Sequence, residues 1–326
     1  MRSSASPPLK WEKLGKIFDP AQFRLPNGCE QFAQAPQALA FDRFTRIYFS
    51  SRERDPRNGK YLSHVCFVDF SEEFRRVIRV NDRSVIELGK LGCFDEHGIF
   101  PMSVLRHGDK IYGYTCGWSR RTSVSVETSV GIATSDDDGV TFQKVGDGPI
   151  LTSSLHEPFL VGDGFVLLEG NQFHMWYIFG TDWRRPTNGA SPERTYKIGH
   201  AVSRDGFAWQ KEEGRQIISD RLGPEESQAL PTVARIGDRY HMIFCYREST
   251  DFRLNKQRGY RLGHAWSENL EEWVRDDAGL GLDVSVSGWD SDMQCYPNLF
   301  QRDGRTYLLY NGNEFGRHGF GIAILK

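Results

Sequence analysis

KIGHAVSRDGFAW, running from Lys197 to Trp209, alternates Ile198, His200 and Val202 before a Ser-Arg-Asp-Gly turn and a closing aromatic. Side chains of a strand alternate faces with period two, and Asp-Gly tolerates the positive φ of a tight turn. The stretch therefore predicts a half-buried strand ending in a hairpin. Two counterparts stand elsewhere in the chain: VGIATSDDDGVTF from Val130 to Phe142, and RLGHAWSENLEEW from Arg261 to Trp273. A strand-and-turn unit that recurs at long intervals indicates a repeat architecture. Asp136, Asp137, Asp138 and Asp205 are then expected as turn formers, and His200 and His264 as packed strand residues.

Working outward, each copy begins with a short lead-in ending in proline. These are Gln34-Ala35-Pro36, Ile99-Phe100-Pro101, His156-Glu157-Pro158, Ala229-Leu230-Pro231 and Cys295-Tyr296-Pro297, with prolines 65, 57, 73 and 66 residues apart. A second apolar run follows each: RIYFSS (46–51), KIYGYTCGW (110–118), FHMWYIFG (173–180), RYHMIFCY (239–246) and RTYLLY (305–310). The hairpin motif supplies strands three and four. The pattern predicts an all-β chain folded as a single five-bladed β-propeller with four-stranded antiparallel blades. Two stacked sandwiches or a β-helix would not account for proline-marked lead-ins at this spacing. The fifth copy ends at Lys326 after three strands. WEKLGKIF (11–18) resembles WQKEEGRQI (209–217), so the N-terminal segment is expected to close the last blade. The propeller spans residues 11–326, and the polar residues 1–10 are expected to form a flexible tail.

Bulk properties narrow the partners. The 326 residues are 39% hydrophobic and 26% charged, and the net charge of -2 argues against a nucleic acid or an anionic membrane as partner. Aromatics at 13% with 33 glycines suit a turn-rich β protein and sugar binding. The N-terminus has no apolar signal-like run, and the six cysteines have no CxxC or CxH spacing. A reduced, cytoplasmic protein without a zinc site or other cofactor is expected. Asp and Gln at the lead-ins would permit a structural calcium, but no spacing demands one. Oligomeric state is not encoded legibly.

Propeller geometry places the lead-ins and the loops after strand two on one face, and the Asp-Gly hairpins on the other. The lead-in face is rich in polar residues. Asp95, Glu96, Glu157, Glu226, Asp290 and Asp292 supply acids there, accompanied by His97, His156, Gln34, Gln228 and Gln294. After the second strands come Arg52, Trp118, Arg120, Asp182, Trp183, Arg184, Arg247, Glu248, Asn313 and Glu314. Acids and aromatics converging on one channel mouth predict a binding site. Trp118, Trp183, Tyr246 and Tyr296 are candidate sugar platforms. Loops 181–196 and 247–260 are longer than hairpins need.

At these residues the chain resembles the five-bladed propeller glycosidases of families 43, 62, 32 and 68, and the family 130 glycoside phosphorylases. The resemblance implies carboxylates at the strand-one lead-ins of the first three blades. Glu157 matches the third and would be the general acid, and Asp95 or Glu96 approximates the second. At the first, Gln34 stands in place of a base, and Glu226, Asp290 or Asp292 would have to supply it. The implied activity is glycoside hydrolysis, which needs two carboxyl groups in opposite protonation states. One alternative is phosphorolysis, with Arg52, Arg120, Arg184, Arg247, His97 and His156 holding phosphate. Another is a non-catalytic binder of a glycan, sugar phosphate or nucleotide sugar. Ser135, Asp137, Gly139 and Phe142 also match the Asp-box of sialidases, but those need a sixth blade and an arginine triad.

Overall fold

A computed structural model of the protein describes residues 8–186 and 191–326. Its hairpins satisfy themselves. Ser203 Oγ accepts from the Gly206 amide and donates to Asp205 Oδ1, both at 2.9 Å. That carboxylate oxygen also accepts from the Phe207 and Ala208 amides at 2.8 and 2.9 Å. The Trp209 indole N–H then closes the turn onto the Gly206 carbonyl at 3.2 Å. Glycine is required at 206 because φ is +78° and a Cβ would lie 2.7 Å from the Tyr114 hydroxyl of the preceding unit. Ser135 with Asp137, and Ser267 with Asn269, repeat the device. The aspartates of these motifs are turn formers.

The chain opens with β1 (Trp11–Phe18) and continues with β2 (Gln31–Phe41), β3 (Phe44–Arg54), β4 (Tyr61–Phe70) and β5 (Val77–Val80). The next group is β6 (Gly98–His107), β7 (Lys110–Arg120), β8 (Val126–Ser135) and β9 (Gln143–Lys144), followed by β10 (Val161–Glu169), β11 (Gln172–Arg184), β12 (Glu193–Ser203) and β13 (Gln210–Lys211). Then come β14 (Glu226–Ile236), β15 (Arg239–Glu248), β16 (Arg261–Ser267) and β17 (Val274–Arg275), and finally β18 (Cys295–Arg302), β19 (Arg305–Asn311) and β20 (Phe320–Leu325). Strands β10–β13 and β14–β17 are four-stranded antiparallel sheets. Strands β2–β5 and β6–β9 repeat that order and are joined only by a parallel pairing of Ser63 with Gly98. The remaining sheet runs β18-β19-β20-β1, with Trp11 opposite Leu325 and Phe18 opposite Phe320, so the N-terminal strand closes it.

The first strands of successive sheets pack in a cycle: β2 on β6, β6 on β10, β10 on β14, β14 on β18, and β18 back on β2. Hydrophobic cores lie between neighbouring sheets. Tyr48 and Phe67 of β3 and β4, for instance, pack with Met102, Ile111 and Ala133 and with Phe142, whose ring meets Tyr48 edge-on at 5.8 Å. Both faces of each sheet are therefore apolar, which is why the second strands read as nearly continuous hydrophobic runs. His174 bonds His200 at 3.1 Å, and His241 bonds His264 at 3.0 Å, so these histidines are packed in stacked pairs.

Every first strand carries a bulge near its start, where two residues fall out of register. The unpaired residues are Ala35-Pro36, Phe100-Pro101, Asp163-Gly164, Leu230-Pro231 and Tyr296-Pro297. Proline fits there because a bulge leaves its nitrogen outside the ladder. The bulges correct the third repeat. Its structural equivalent is Asp163-Gly164, and His156-Glu157-Pro158 precedes the strand. Steps between corresponding positions then become 65, 63, 67 and 66 residues, far more even than the proline spacing. Gly164 breaks the proline pattern, and Pro158, standing close by, imitates it.

Two further expectations change. Loop 181–196 is shortened from both sides, because β11 extends to Arg184 and β12 starts at Glu193; residues 187–190 lie outside the described part. Of the expected tail, residues 1–7 also lie outside it. Leu9 and Lys10 are tied down: the Leu9 amide donates to Gly279 O and the Lys326 amide to Lys10 O, both at 2.9 Å.

Candidate functional site

Every sheet contributes to the wall of one cavity of about 580 Å³. Four of the bulge residues line it (Phe100, Asp163, Leu230 and Tyr296), and Gln34, beside the Ala35-Pro36 bulge, takes part from β2. Strands supply Arg52, Tyr61, Trp118, Arg194 and Tyr196, with Tyr260 just before β16, all toward the ends remote from the Asp-Gly hairpins. The bulge is the cause of this convergence, since it turns a strand residue out of the sheet ladder toward the axis.

Asp163 and Glu314 are the carboxylates in this wall. Asp163 is 8% exposed and adopts φ +51°, a left-handed conformation unusual for a non-glycine residue. Burial pushes its carboxyl up to about 7, partly offset by the Arg194 guanidinium, the Leu230 amide and the Cys116 thiol. Glu314 is moved the other way. Its carboxylate bonds Arg317 Nη1 at 3.0 Å and His318 Nε2 at 3.3 Å, and these partners hold it below the ordinary glutamate range. Glu314 and Phe315 both have left-handed backbones, at φ +55° and +58°. Consecutive strained residues of this kind cost about 1–3 kcal/mol each and gather at functional sites.

Gln34 ties Arg52 to that strained turn. Its amide donates to the Phe315 carbonyl at 2.6 Å, while its carbonyl accepts from Arg52 Nε at 3.0 Å. Asn311 sets the neighbouring backbone, accepting from the Ala35 amide and donating to Ala33 O, both at 2.8 Å. The Arg52 guanidinium lies 4.5 Å from the Phe32 ring centroid and 5.5 Å from that of Tyr61. Burial lowers its pKa from the usual arginine value, and among the described residues no carboxylate pairs with it. Arg194, Arg253 and Arg317 share the wall; Arg253 pairs with Glu193 and Arg317 with Glu314.

The acids singled out in the sequence lie elsewhere. Glu157 is fully buried behind the wall, in an ion pair with Lys211, and accepts from the Tyr177 hydroxyl at 2.7 Å and the Gly214 amide at 3.1 Å. Asp95 pairs with Lys144. Glu226 pairs with Arg275 at 2.6 Å, and Asp290 with Lys13 at 2.8 Å. The four form one repeated clasp. Each acid precedes a first strand or, for Glu226, opens it, and each cation sits on the outermost strand of the same sheet. The cations stand opposite Ala201, Ala133, Ala265 and Ala323 in turn, the small residue leaving room for the side chain to cross. The sequence signature is an aromatic, any residue, then a base: WQK (209–211), FQK (142–144), WVR (273–275) and WEK (11–13). In the first sheet Val80 stands opposite Val68, and the clasp is missing.

The other predicted residues divide similarly. Gln34, Arg52 and Trp118 line the cavity, and so do Tyr296 and Glu314. His97 stacks on Trp118 at 5.9 Å, with Glu96 beside it at 3.3 Å, and Arg120 bonds the Tyr61 carbonyl at 2.5 Å. Gln228 serves Glu226 at 2.8 Å, and Gln294 serves Asp290 at 3.0 Å, both within clasps. Arg247 is fully buried, bonding Glu248 O and the Tyr196 hydroxyl at 2.8 and 3.0 Å. Arg184 pairs with Asp182 and Glu225, Glu248 with Arg258, and Asp292 with Lys256. Asn313 accepts from the Asp292 amide, while the His156 amide donates to Glu213. Trp183 lies against Arg194, 5.9 Å away. Asp163 was missed, although its signal is legible: one acid between two glycines in the apolar run VGDGFVLL. Arg194, Arg253 and Arg317 carry no such signal.

Among the described residues no group of three His, Cys, Asp or Glu could hold a metal, and no helix is long and apolar enough to cross a membrane. The six cysteines are unpaired.

No family model matches the chain. A beta-1,2-mannobiose phosphorylase of a Thermoanaerobacter species is 28% identical over 114 residues, covering 33% of this chain and 35% of that one. Among solved structures, one named glycoside hydrolase superposes with a TM-score of 0.73 at 16% identity, over 98% of this chain and 92% of the other. The beta-1,2-mannobiose phosphorylase of Listeria innocua, in complex with beta-1,2-mannobiose, superposes with a TM-score of 0.67 at 11% identity, over 97% and 96%. An uncharacterized protein of Mycobacterium tuberculosis is 31% identical over 319 residues, 98% of this chain and 100% of its own. The protein belongs to the family of that mycobacterial chain and is built on the fold of the propeller glycoside hydrolases and phosphorylases.

Proposed function

We propose that the protein is a five-bladed propeller enzyme that hydrolyses a glycosidic bond, with Asp163 as the general acid and Glu314 as the general base. The observation that carries this reading is the pair of carboxyl groups in one cavity wall whose surroundings push them apart. Burial keeps Asp163 protonated up to about pH 7, and Arg317 keeps Glu314 ionised. In the reaction Glu314 takes a proton from water, the water oxygen attacks the anomeric carbon, and the bond to the leaving oxygen breaks. Asp163 gives its proton to that oxygen. Trp118, Tyr61 and Tyr296 offer ring faces against which a pyranose can stack. The cyclic packing of five first strands supports the blade count.

The pH dependence follows with a definite sign. An acid that must be protonated loses activity as pH rises through its pKa, and a base that must be ionised loses it as pH falls. Turnover of an aryl glycoside should fall above about pH 7 and stay level down to below the ordinary glutamate pKa. A rate that climbs steadily from pH 6 to 9 would sink the assignment of Asp163.

Phosphorolysis is the second reading. It is favoured by the arginines of the wall and by the 114-residue match to a mannobiose phosphorylase. It predicts no turnover without added phosphate, and a sugar 1-phosphate as product. Hydrolysis predicts the free sugar, at a rate indifferent to phosphate.

A further inference from the structure

The chain has no acid where the first sheet meets the cavity, and Gln34 stands beside Arg52 instead. A glutamate at that position would neutralise the arginine. The glutamine carbonyl orients the guanidinium through Nε and leaves both terminal nitrogens without a carboxylate among the described residues. Holding a cation largely out of water without a counter-charge is costly, and here it is held between the Phe32 and Tyr61 rings, facing a cavity. Arg194, Arg253 and Arg317 stand in the same wall. Arg253 is paired with Glu193 and Arg317 with Glu314, and Asp163 is buried, so Arg52 and Arg194 are the wall cations without a carboxylate partner in an ion pair among the described residues. The field of the cavity is positive, while the chain as a whole carries -2.

We propose that Arg52 forms an oxyanion subsite and that the glycan cleaved here itself carries a carboxylate or phosphoryl group, which docks on the free edge of that guanidinium. The proposal rests on the glycosidase reading above and adds the substrate class. Arginine presents paired donors in a plane, which matches both groups. The anion belongs to the sugar because the attacking position lies beside Glu314. An ionised carboxylate there repels a free phosphate nucleophile, whereas an anion borne by the sugar can be held by Arg52 without occupying the attacking position. The glutamine at 34 is on this account a positioning residue: it aims Arg52 without quenching it, and it anchors the strained Glu314–Phe315 turn through the Phe315 carbonyl.

The test is calorimetric titration of the intact protein with glucuronate, glucose 1-phosphate, glucose and inorganic phosphate, repeated at low and high salt. The two charged sugars should bind at least about tenfold more tightly than glucose, with the margin shrinking in salt. Arg52→Gln should remove that margin, and Gln34→Glu should remove it too while keeping Arg52 folded in place. Gln34→Ala, which loosens the arginine without neutralising it, should retain part of it. Equal binding of charged and neutral sugars, or a margin unchanged in both Arg52→Gln and Gln34→Glu, overturns the subsite. Phosphate-dependent turnover of a neutral glycoside overturns it as well, by assigning the anion to a co-substrate. Asp163→Asn should leave the charged-sugar margin intact. If that variant also keeps full turnover, the catalytic reading falls while the subsite stands.

Discussion

Asp163→Asn should lower turnover by about 10²–10⁴-fold and, at pH 8, should raise the melting temperature. The two effects have one cause. A carboxyl that titrates near 7 in the folded chain and near 4 in the unfolded chain binds more protons folded than unfolded between those values. Stability therefore falls as pH rises from about 4 to about 7, and above that range the full penalty of an ionised, buried aspartate is present. Asparagine keeps the shape and can still accept from the Leu230 amide, but it never ionises. The gain at pH 8 should be of order 1–3 kcal/mol, and it should shrink to a few tenths of that near pH 4, where the folded carboxyl is neutral and the unfolded one only about half ionised. Thermal melts of both proteins at pH 4, 6 and 8 measure it. A residue kept for structure would do the reverse: its removal would destabilise the fold at every pH.

Lys211→Met should destabilise the protein by about 3–5 kcal/mol, while the folded fraction retains its rate per molecule. Glu157 is fully buried, and without the lysine its charge has only the Tyr177 hydroxyl and the Gly214 amide to lean on. Adding Glu157→Gln to that variant removes the stranded charge and should recover more than half of the loss. Urea titrations of the wild type, the two single variants and the double variant close the cycle. If both single changes abolish turnover in protein that melts normally, Glu157 belongs to the chemistry after all. The same experiment on Val80, in the sheet without a clasp, should be mild, because valine there leaves no charge behind.

The sequence made the architecture legible and the candidate site only in part, since Gln34, Arg52, Trp118, Tyr296 and Glu314 could be named from it and Asp163 was not, for separable reasons. Hairpins announce themselves through residues that must satisfy a turn locally, so Ser203, Asp205 and Gly206 could be read in isolation. The clasp acids were found at once because charges beside apolar strands stand out, and a buried ion pair looks the same in sequence as a catalytic acid. What separates them is the partner, and Lys211 lies 54 residues beyond Glu157. The aromatic-x-base signature on the outer strands was visible, as the likeness of Trp11–Phe18 to Trp209–Ile217 already used it. Its meaning emerges only once the outer strand is seen to reach back to the lead-in of its own sheet. Asp163 was obscured by the opposite effect. Its apolar neighbours make the segment read as an ordinary core strand, and the one local cue to its bulge is the pair of glycines around it, where the other first strands carry proline. Arg52 was legible as a cation near the channel; that no carboxylate among the described residues pairs with it was not.

Closure of the ring by β1 also fixes an order of events in the cell. Of these twenty strands β1 is made first and is the last to find its neighbour, because β20 follows it by some three hundred residues. At about 5–20 residues per second, Trp11–Phe18 must wait roughly 15–60 s as an unpaired edge, open to any other growing strand. Its composition suits that wait: Glu12, Lys13 and Lys16 interrupt the apolar residues, and charges on a strand discourage intermolecular pairing. One of those guards, Lys13, is later consumed as the clasp to Asp290, so the residue that keeps the nascent strand solitary is the one that locks the finished ring.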